Sequence, residues 1–264
     1  MSHTDSVKRF SRPQLNVGYF MFRWISPILD PVKMAFSIPG YIKYLHDIGA
    51  YRRTAGAEPI RVIDTYPCLS DGHPVHPYDS HYFYQDLWAA KRISCARPVR
   101  HIDVGSRLDF VAFLTTLTDV EAVDLRRLDV NVDGLKCTQG DVLELPYGTS
   151  SVGSLSCLHV AEHVGLGRYG DKLDPNGTKK ACNELARILG PSGSLYFSVP
   201  VGVPRLCFNA HRIHSPEQIA SYFESLKLVE FSAVSDDGKY VENADLRTVA
   251  KSDYACGMFR FTKV

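Results

Sequence analysis

The stretch from Val99 to Asp124 does most to constrain the fold of this 264-residue chain. It contains a short apolar run, a turn at Gly105, a segment with helical spacing and a second apolar run that ends at Asp124. A strand, a glycine turn, a helix and a second strand within this length are typical of one βαβ unit. Because ligands bind beyond the carboxyl ends of the strands in open α/β sheets, Gly105 and Asp124 predict a pocket for a nucleotide-type cofactor.

Strand and helix patterns alternate through the rest of the chain. The strands are expected at residues 99–104, 120–124, 134–138, 152–158, 193–199, 226–235 and 254–262, and the helices at about 107–117, 159–165, 176–189 and 215–225. This alternation predicts an α/β fold with a doubly wound sheet of seven strands that is mostly parallel. The last two strands have no obvious helix between them, which predicts an antiparallel last strand.

The first part of the chain has a different pattern. Residues 1–78 are interpreted as an N-terminal helical extension with a covering loop, and residues 79–264 as the main domain. Apolar residues recur at helical spacing over 17–29 and again over 38–53, where Ser37 is the expected cap. The 17–29 stripe lacks a lysine-rich border, which favours packing on the protein's own core over weak peripheral contact with a membrane.

Composition excludes several classes of protein. The formal net charge of +1 at pH 7 gives no basic surface for nucleic acid. The seven cysteines are scattered and form no Cys-x-x-Cys pair, which indicates reduced thiols in a cytoplasmic protein. We find no signal-peptide pattern, and no apolar run approaches the roughly 20 residues of a transmembrane helix.

Short motifs follow the predicted strands in a fixed order. They are Asp103-Val104-Gly105 after the first strand, Asp124 at the end of the second, Asp141-Val142 after the third, LHVAEHV (158–164) after the fourth and the turn Gly190-Pro191-Ser192-Gly193 before the fifth. In this order they resemble the class I S-adenosylmethionine-dependent methyltransferases over roughly residues 80–264. The resemblance implies a Rossmann-like sheet, S-adenosylmethionine as the cofactor, and an enzyme that transfers a methyl group.

The same resemblance implies roles for individual residues. Asp124 would bind the ribose hydroxyls, Asp141 and Val142 would meet the adenine, and the helix that carries Tyr82 and Gln85 would close over the cofactor. The candidate cofactor-binding residues are Asp103, Gly105, Ser106, Arg107, Asp124, Asp141, Val142, His159, Tyr82 and Gln85.

Arg107 departs from the pattern of the superfamily, which usually has Asp/Glu-x-Gly-x-Gly at this turn. A side chain at the second glycine position would crowd the cofactor unless the turn is altered. Arg107 would then either pair with the methionine carboxylate of the cofactor, as guanidinium groups do with carboxylates, or start the helix and point to solvent. If the turn is closed, the chain is a non-catalytic methyltransferase-like binding domain, and this alternative stays open.

Methyl transfer requires alignment more than covalent chemistry, and proximity supplies about 7–11 kcal/mol. A hydroxyl acceptor also needs a base, which is expected after the fourth or fifth strand. The candidates are His163 or His211 as the base and Arg212 as a cation that anchors the substrate. For each histidine, a structural hydrogen bond at a strand end is the open alternative.

Other enzyme classes fit the sequence less well. His159, Glu162 and His163 spell H-x-x-E-H, the pattern of a zinc hydrolase, with Glu230 as a third ligand further along the chain. The motif is short and follows a strand, which favours the methyltransferase interpretation, and no metal site is predicted. A nicotinamide dehydrogenase would need G-x-G-x-x-G after the first strand, and the sequence has no such motif.

The acceptor is inferred from a subgroup. The phrases HYFYQDLWAAKRI, HIDVGSR, EHVGLGRYGD and NAHRIHSPEQI resemble a subgroup of the superfamily found among bacterial surface-polysaccharide enzymes. This resemblance implies a hydroxyl of a sugar or glycan-related acceptor, within a role in polysaccharide biosynthesis. A neutral small molecule is the alternative substrate, and Arg205 and Arg212 would suit an acceptor that carries phosphate.

Overall fold

The computed structural model describes residue 25, residues 31–69 and residues 76–264. The chain divides into two compact units, residues 1–77 and residues 78–264. The helix predicted over 17–29 lies outside the described residues except for Ile25. Within the described ranges, no helix combines the length and apolar character needed to cross a membrane.

The first unit contains helix α1, Pro31–Arg52, and a 3₁₀ turn, Val62–Asp64. The predicted helix is confirmed, but it begins before Ser37, so that Pro39 lies inside it. Ile42 and Leu45, expected on its inner face, are exposed. Tyr41 and Ile48, the other two residues expected on this face, are partly exposed.

The second unit is built on ten strands and five helices. The strands are β1 Arg100–Val104, β2 Asp119–Asp124, β3 Leu135–Gln139, β4 Val152–Leu158, β5 Leu189–Val201, β6 Arg205–Cys207, β7 His211–Ile213, β8 Lys227–Val234, β9 Tyr240–Val241 and β10 Ala255–Thr262. The helices are α2 Ser80–Ala96, α3 Leu108–Leu114, α4 Gly177–Ile188, α5 Pro216–Tyr222 and α6 Leu246–Val249.

Eight of these strands form one sheet in the order β3-β2-β1-β4-β5-β10-β8-β9, and β6 and β7 form a separate pair. β1 to β5 run parallel to one another. β10 runs antiparallel to both β5 and β8, which confirms the antiparallel last strand. The predicted count of seven strands is wrong by one: β9 is an extra edge strand of only two residues, too short for alternation to reveal it.

Two apolar clusters pack on opposite faces of this sheet. On one face Leu185 of α4 and Ile219 of α5 join Phe259 of β10. On the other face Trp88 of α2 joins Met258, the neighbour of Phe259 in β10. Successive side chains of a strand point to opposite faces, so adjacent residues of β10 serve both clusters. The sheet is therefore covered by helices on both sides, as a doubly wound fold requires.

The helix predicted over 159–165 is replaced by a 3₁₀ turn, Ala161–His163. His159 has a φ of 54° and Gly165 a φ of 80°, and both values lie in the left-handed region, which a right-handed helix cannot include. The segment after β4 is consequently a compact turn that leads into a glycine-rich loop, residues 165–174.

The helix predicted over 215–225 begins where it is expected. Ser215 accepts a hydrogen bond from the Gln218 N–H and caps α5.

Candidate functional site

A cavity of about 580 Å³ opens at the carboxyl ends of β1 to β4, and we refer to it as the strand-end cavity. Five of the predicted cofactor-binding residues line it: Gly105, Asp124, Asp141, Val142 and His159. They come from the segments after four different strands. The topology thus brings together, at one edge of the sheet, residues that the sequence analysis had assigned to one pocket.

The turn after β1 needs a glycine only at its first position. Gly105 has a φ of 72°, and a Cβ there would lie 3.0 Å from Cγ1 of Val160. Arg107 has a φ of −60° and a ψ of 138°, a conformation open to any residue. Its guanidinium lies over the ring of Tyr82, 5.0 Å from the centroid, and pairs with Asp109. Arginine at the second position therefore does not strain the turn.

Asp103 and Ser106 hold this turn from beneath. The buried Asp103 carboxylate accepts hydrogen bonds from the Ser106 N–H at 3.0 Å, the Ser106 hydroxyl at 2.7 Å and the Ser156 hydroxyl. Burial raises the pKa of Asp103 to about 6, against these hydrogen bonds. Asp103 is only 1% exposed, so it orders the turn and does not line the strand-end cavity.

The two carboxylates predicted to meet the nucleoside form local turns at the mouth of the sheet. Oδ1 of Asp124 accepts a hydrogen bond from the Arg126 N–H at 2.7 Å. Oδ1 of Asp141 accepts one from the Leu143 N–H at 2.8 Å. Aspartate side chains commonly stabilise turns in this way. In both residues the bond fixes one oxygen and so orients the carboxylate within the cavity wall.

A second cavity, of about 330 Å³, adjoins the first, and we refer to it as the histidine cavity. It is lined by His159, His163 and His211, and also by Tyr82 and Tyr254. The two cavities share part of their walls, at Gly105, Asp124, Arg126, His159, His163 and Tyr169. Tyr254 precedes β10 and carries no local sequence signal, so the sequence analysis missed it.

The two candidate bases have different surroundings. In His163, Nδ1 lies 2.6 Å from the Ala210 carbonyl oxygen and Nε2 lies 3.6 Å from Oε1 of Glu162. The ring of His211 packs against Tyr254, with centroids 5.2 Å apart, and neither nitrogen makes a hydrogen bond to the described residues. Burial lowers the pKa of His211, which keeps its ring neutral near pH 7.

The H-x-x-E-H motif does not form the zinc site that its pattern suggests. Oε1 of the buried Glu162 lies 3.0 Å from Nδ1 of His159 and 3.6 Å from Nε2 of His163, so the two rings flank a carboxylate. Glu230, the expected third ligand, instead accepts hydrogen bonds from Arg92 and Trp88. The zinc-hydrolase alternative built on these residues is therefore not supported by their geometry.

Two of the predicted site residues have structural surroundings. The buried Arg212 donates to the carbonyl oxygens of Val164 at 2.5 Å and Asp174 at 2.9 Å, so its guanidinium ties down the glycine-rich loop and is not free to anchor a substrate. Gln85 is fully buried, and its amide contacts Ser198 and Asp86. Its predicted position facing the cofactor is wrong, whereas Tyr82, one turn earlier, does line the histidine cavity.

Comparisons with known proteins agree with this fold. A family model described as "Caenorhabditis protein of unknown function, DUF268" matches residues 142–261. No curated protein sequence matches the chain.

Many solved structures resemble the chain, and three of them show the extent of the similarity. The YcgJ protein from Bacillus subtilis is 16% identical, with a TM-score of 0.50 over 69% of this chain and 98% of its own. The cyclase SpnF is 14% identical, with a TM-score of 0.51 over 69% and 81%. A candidate sarcosine dimethylglycine methyltransferase from Galdieria sulphuraria is 14% identical, with a TM-score of 0.50 over 69% and 86%. Similarity at this level establishes a Rossmann-like fold, and a fold alone does not determine the reaction.

Proposed function

We propose that this chain is an S-adenosylmethionine-dependent methyltransferase, whose catalytic domain spans residues 79–264 and whose residues 1–78 form an extension. The observation that carries the proposal is the strand-end cavity, where Gly105, Asp124 and Asp141 follow three adjacent parallel strands. This is the edge at which α/β sheets bind nucleotides. The candidate methyltransferase from Galdieria sulphuraria, which shares the fold, supports the same reaction class.

The cofactor would extend across both cavities. Asp124 would accept hydrogen bonds from the ribose hydroxyls, and Asp141 with Val142 would contact the adenine. The methionine half would enter the histidine cavity, where the exposed guanidinium of Arg107 would exchange Asp109 for the methionine carboxylate. His159 stands in the wall common to both cavities, close to where the two halves would join.

The chemistry of this chain lies in holding the acceptor and accepting its proton. When bound, S-adenosylmethionine would supply an electrophilic methyl group. His211 faces the histidine cavity, and its low pKa keeps a ring nitrogen ready to take the proton of an acceptor hydroxyl as the new carbon–oxygen bond forms. His163 would hold neighbouring groups in position and would not serve as the base, because Ala210 and Glu162 already contact its two nitrogens.

A hydroxyl of a sugar or glycan-related molecule is the proposed acceptor. This rests on the resemblance to enzymes of bacterial surface polysaccharides, and a small molecule of similar polarity would fit the same cavity. Arg126 and Arg168 border the histidine cavity and would bind an acceptor that carries phosphate. All the cysteines are unpaired, which supports the proposal that the protein works in the reducing cytoplasm.

Cofactor binding is tested by titrating S-adenosylhomocysteine into the purified chain in a calorimeter. Hydrogen bonds to a charged group contribute about 1.5–3 kcal/mol, so Asp124→Ala should weaken binding by about ten- to a hundredfold. Asp119→Ala is the matched control, since Asp119 lies at the opposite end of the same strand. If the unaltered chain binds neither this ligand nor S-adenosylmethionine, the non-catalytic alternative replaces the proposal.

The role of His211 is tested by methyl transfer from labelled S-adenosylmethionine to a panel of glycans and nucleotide sugars. Loss of a general base should lower the rate by about 10²–10⁴-fold, so His211→Ala should be nearly inactive. The same variant should keep most of its affinity for S-adenosylhomocysteine, because the proposed contacts with the nucleoside lie in the strand-end cavity, which His211 does not line. An active His211→Ala protein would assign the proton to another group.

A further inference from the structure

Three side chains from distant parts of the sequence meet beside the histidine cavity. They are His81 near the start of α2, His159 after β4 and Cys256 in β10. One ring nitrogen of each histidine and the cysteine sulfur all lie within 4.8 Å of one another. Over the described part of the chain, no other group of three histidine, cysteine or carboxylate side chains comes this close. From this juxtaposition we propose that His81, His159 and Cys256 bind a zinc ion.

The spacing of the atoms suits a tetrahedral ion. Nε2 of His159 lies 3.3 Å from Sγ of Cys256. Zinc bonds of about 2.0–2.1 Å to nitrogen and about 2.3 Å to sulfur, at the tetrahedral angle, place two such ligand atoms about 3.5 Å apart. Small side-chain movements would therefore seat the ion. A thiolate with two imidazoles also selects zinc over magnesium or calcium, which prefer oxygen ligands.

The second nitrogen of His159 has the partner that a zinc-binding histidine usually has. Nδ1 lies 3.0 Å from Oε1 of Glu162, a fully buried carboxylate. Such carboxylates accept the N–H of the metal-binding ring and hold its other nitrogen toward the ion. Neither oxygen of the Glu162 carboxylate makes a hydrogen bond of regular geometry to the described residues, and its close contacts are those with His159 and His163. A role in orienting His159 would explain why the charge of Glu162 is buried, which is otherwise unfavourable.

The fourth position of the ion would be open. His81 and His159 line a cavity of about 300 Å³ together with Asp79, Asp236 and Tyr254. Both oxygens of Asp236 already accept backbone N–H groups, of residues 253 and 254, and Asp79 caps α2. Asp253, which also lines the cavity, pairs with Arg205. The fourth position of the ion would face this cavity and be open to water or to an oxygen of a small ligand. Three protein ligands with one open position are the pattern of catalytic zinc sites.

Burial supports a ligand role for Cys256 over a nucleophilic one. Its side chain is 0% exposed, so no substrate in solution reaches the sulfur, whereas an ion can approach from the cavity on the side of the half-buried His81. No metal site is predicted from the sequence, because the three ligands have no common motif. Their elements meet only when α2 has packed across β4 and β10, which lie on either side of β5 in the sheet.

The site is tested by titrating ZnCl₂ into the full chain after metal has been removed with a chelator. We expect one zinc ion per chain, and with CoCl₂ as a probe a thiolate-to-cobalt charge-transfer band that Cys256→Ser abolishes. Losing a carboxylate behind a ligand usually weakens metal binding by about 10–100-fold, so Glu162→Gln should show this effect and His81→Ala a loss of more than about 100-fold.

Matched variants separate ligand loss from misfolding. Cys157→Ser removes another fully buried strand cysteine, and His76→Ala removes an exposed histidine, and both should bind zinc normally. His81 is half-buried, so His81→Ala should keep the circular dichroism spectrum of the unaltered chain. Binding of less than one ion per chain, or binding that His81→Ala leaves unchanged, would overturn the proposal. Neither measurement uses S-adenosylmethionine, so the proposed zinc site is tested independently of methyl transfer.

Discussion

Asp103, in the turn that orders the strand-end cavity, holds a proton more tightly than an ordinary carboxyl group does. Burial raises its pKa from 3.8 to about 6. The folded state therefore binds this proton more tightly than the unfolded state does. The resulting stabilisation is fully present below about pH 4 and is lost as the pH rises through about 6.

We therefore expect Asp103→Asn to flatten the dependence of stability on pH. Each unit of pKa difference corresponds to about 1.4 kcal/mol, so the free energy of unfolding of the unaltered chain should fall between pH 4 and pH 7 by about 2 kcal/mol more than that of the variant. Urea unfolding at a series of pH values measures this. Parallel curves for the two proteins would contradict a raised pKa of Asp103.

Single residues were predictable where their role is local. Gly105 and Asp124 belong to a short segment whose strand, turn and strand are contiguous, so the pattern alone placed them. The glycine pattern does not reveal that the backbone at Arg107 has a φ of −60°, which any residue can adopt. That the Arg107 side chain would crowd the cofactor stays a prediction. Arg212 was misassigned because its partners, the carbonyls of Val164 and Asp174, lie 48 and 38 residues away in sequence.

The glycine-rich loop, residues 165–174, forms one wall of the strand-end cavity and is closed at its base. The Asp174 N–H donates to the Gly165 carbonyl at 3.0 Å. A Cβ on Gly165 would lie 2.2 Å from the Asp174 carbonyl oxygen, which leaves room only for glycine. The guanidinium of Arg212 binds the Asp174 carbonyl and that of Val164, directly before the loop. The loop thus has fixed ends and an exposed tip around Tyr169.

Removing this clamp should loosen the loop. Arg212→Ala leaves two carbonyl groups without their charged donor, and we expect a loss of about 1.5–3 kcal/mol in the free energy of unfolding and faster amide exchange over residues 165–174. Weaker binding of S-adenosylhomocysteine should accompany it, because the loop lines the cavity. Arg247→Ala, at an exposed arginine of α6, is the control and should change none of these quantities.

If amide exchange in the loop is the same in the Arg212→Ala protein, the Arg212 clamp does not order the loop.

Among the secondary-structure elements, the long ones were predicted well from the sequence and the short ones badly. β6, β7 and β9 have two or three residues each, fewer than a periodic pattern needs. The helix expected over 159–165 was wrong because nothing in its composition reveals the positive φ of His159.

Across the whole molecule, alternation of strand and helix patterns was sufficient to predict the doubly wound sheet, because burial on both faces leaves near-continuous apolar strands. The position of the strand-end cavity could be predicted as well, because the carboxyl ends of parallel strands lie at one edge of the sheet. What sequence reasoning could not give is which distant side chains meet. His81, His159 and Cys256 lie on three separate elements, and only the three-dimensional packing brings them together.

The position of β10 within the sheet has a consequence for how the protein is made. β8 and β9 precede β10 in the sequence, yet β8 has no bond to β5 and joins the sheet only through β10. During synthesis, β8 and β9 leave the ribosome before the strand that joins them to the parallel half, so the edge of β5 is still unpaired. The nascent unit therefore completes its sheet only when residues 255–262 have emerged and inserted between β5 and β8. Until that moment its hydrophobic strand edges are exposed to chaperones.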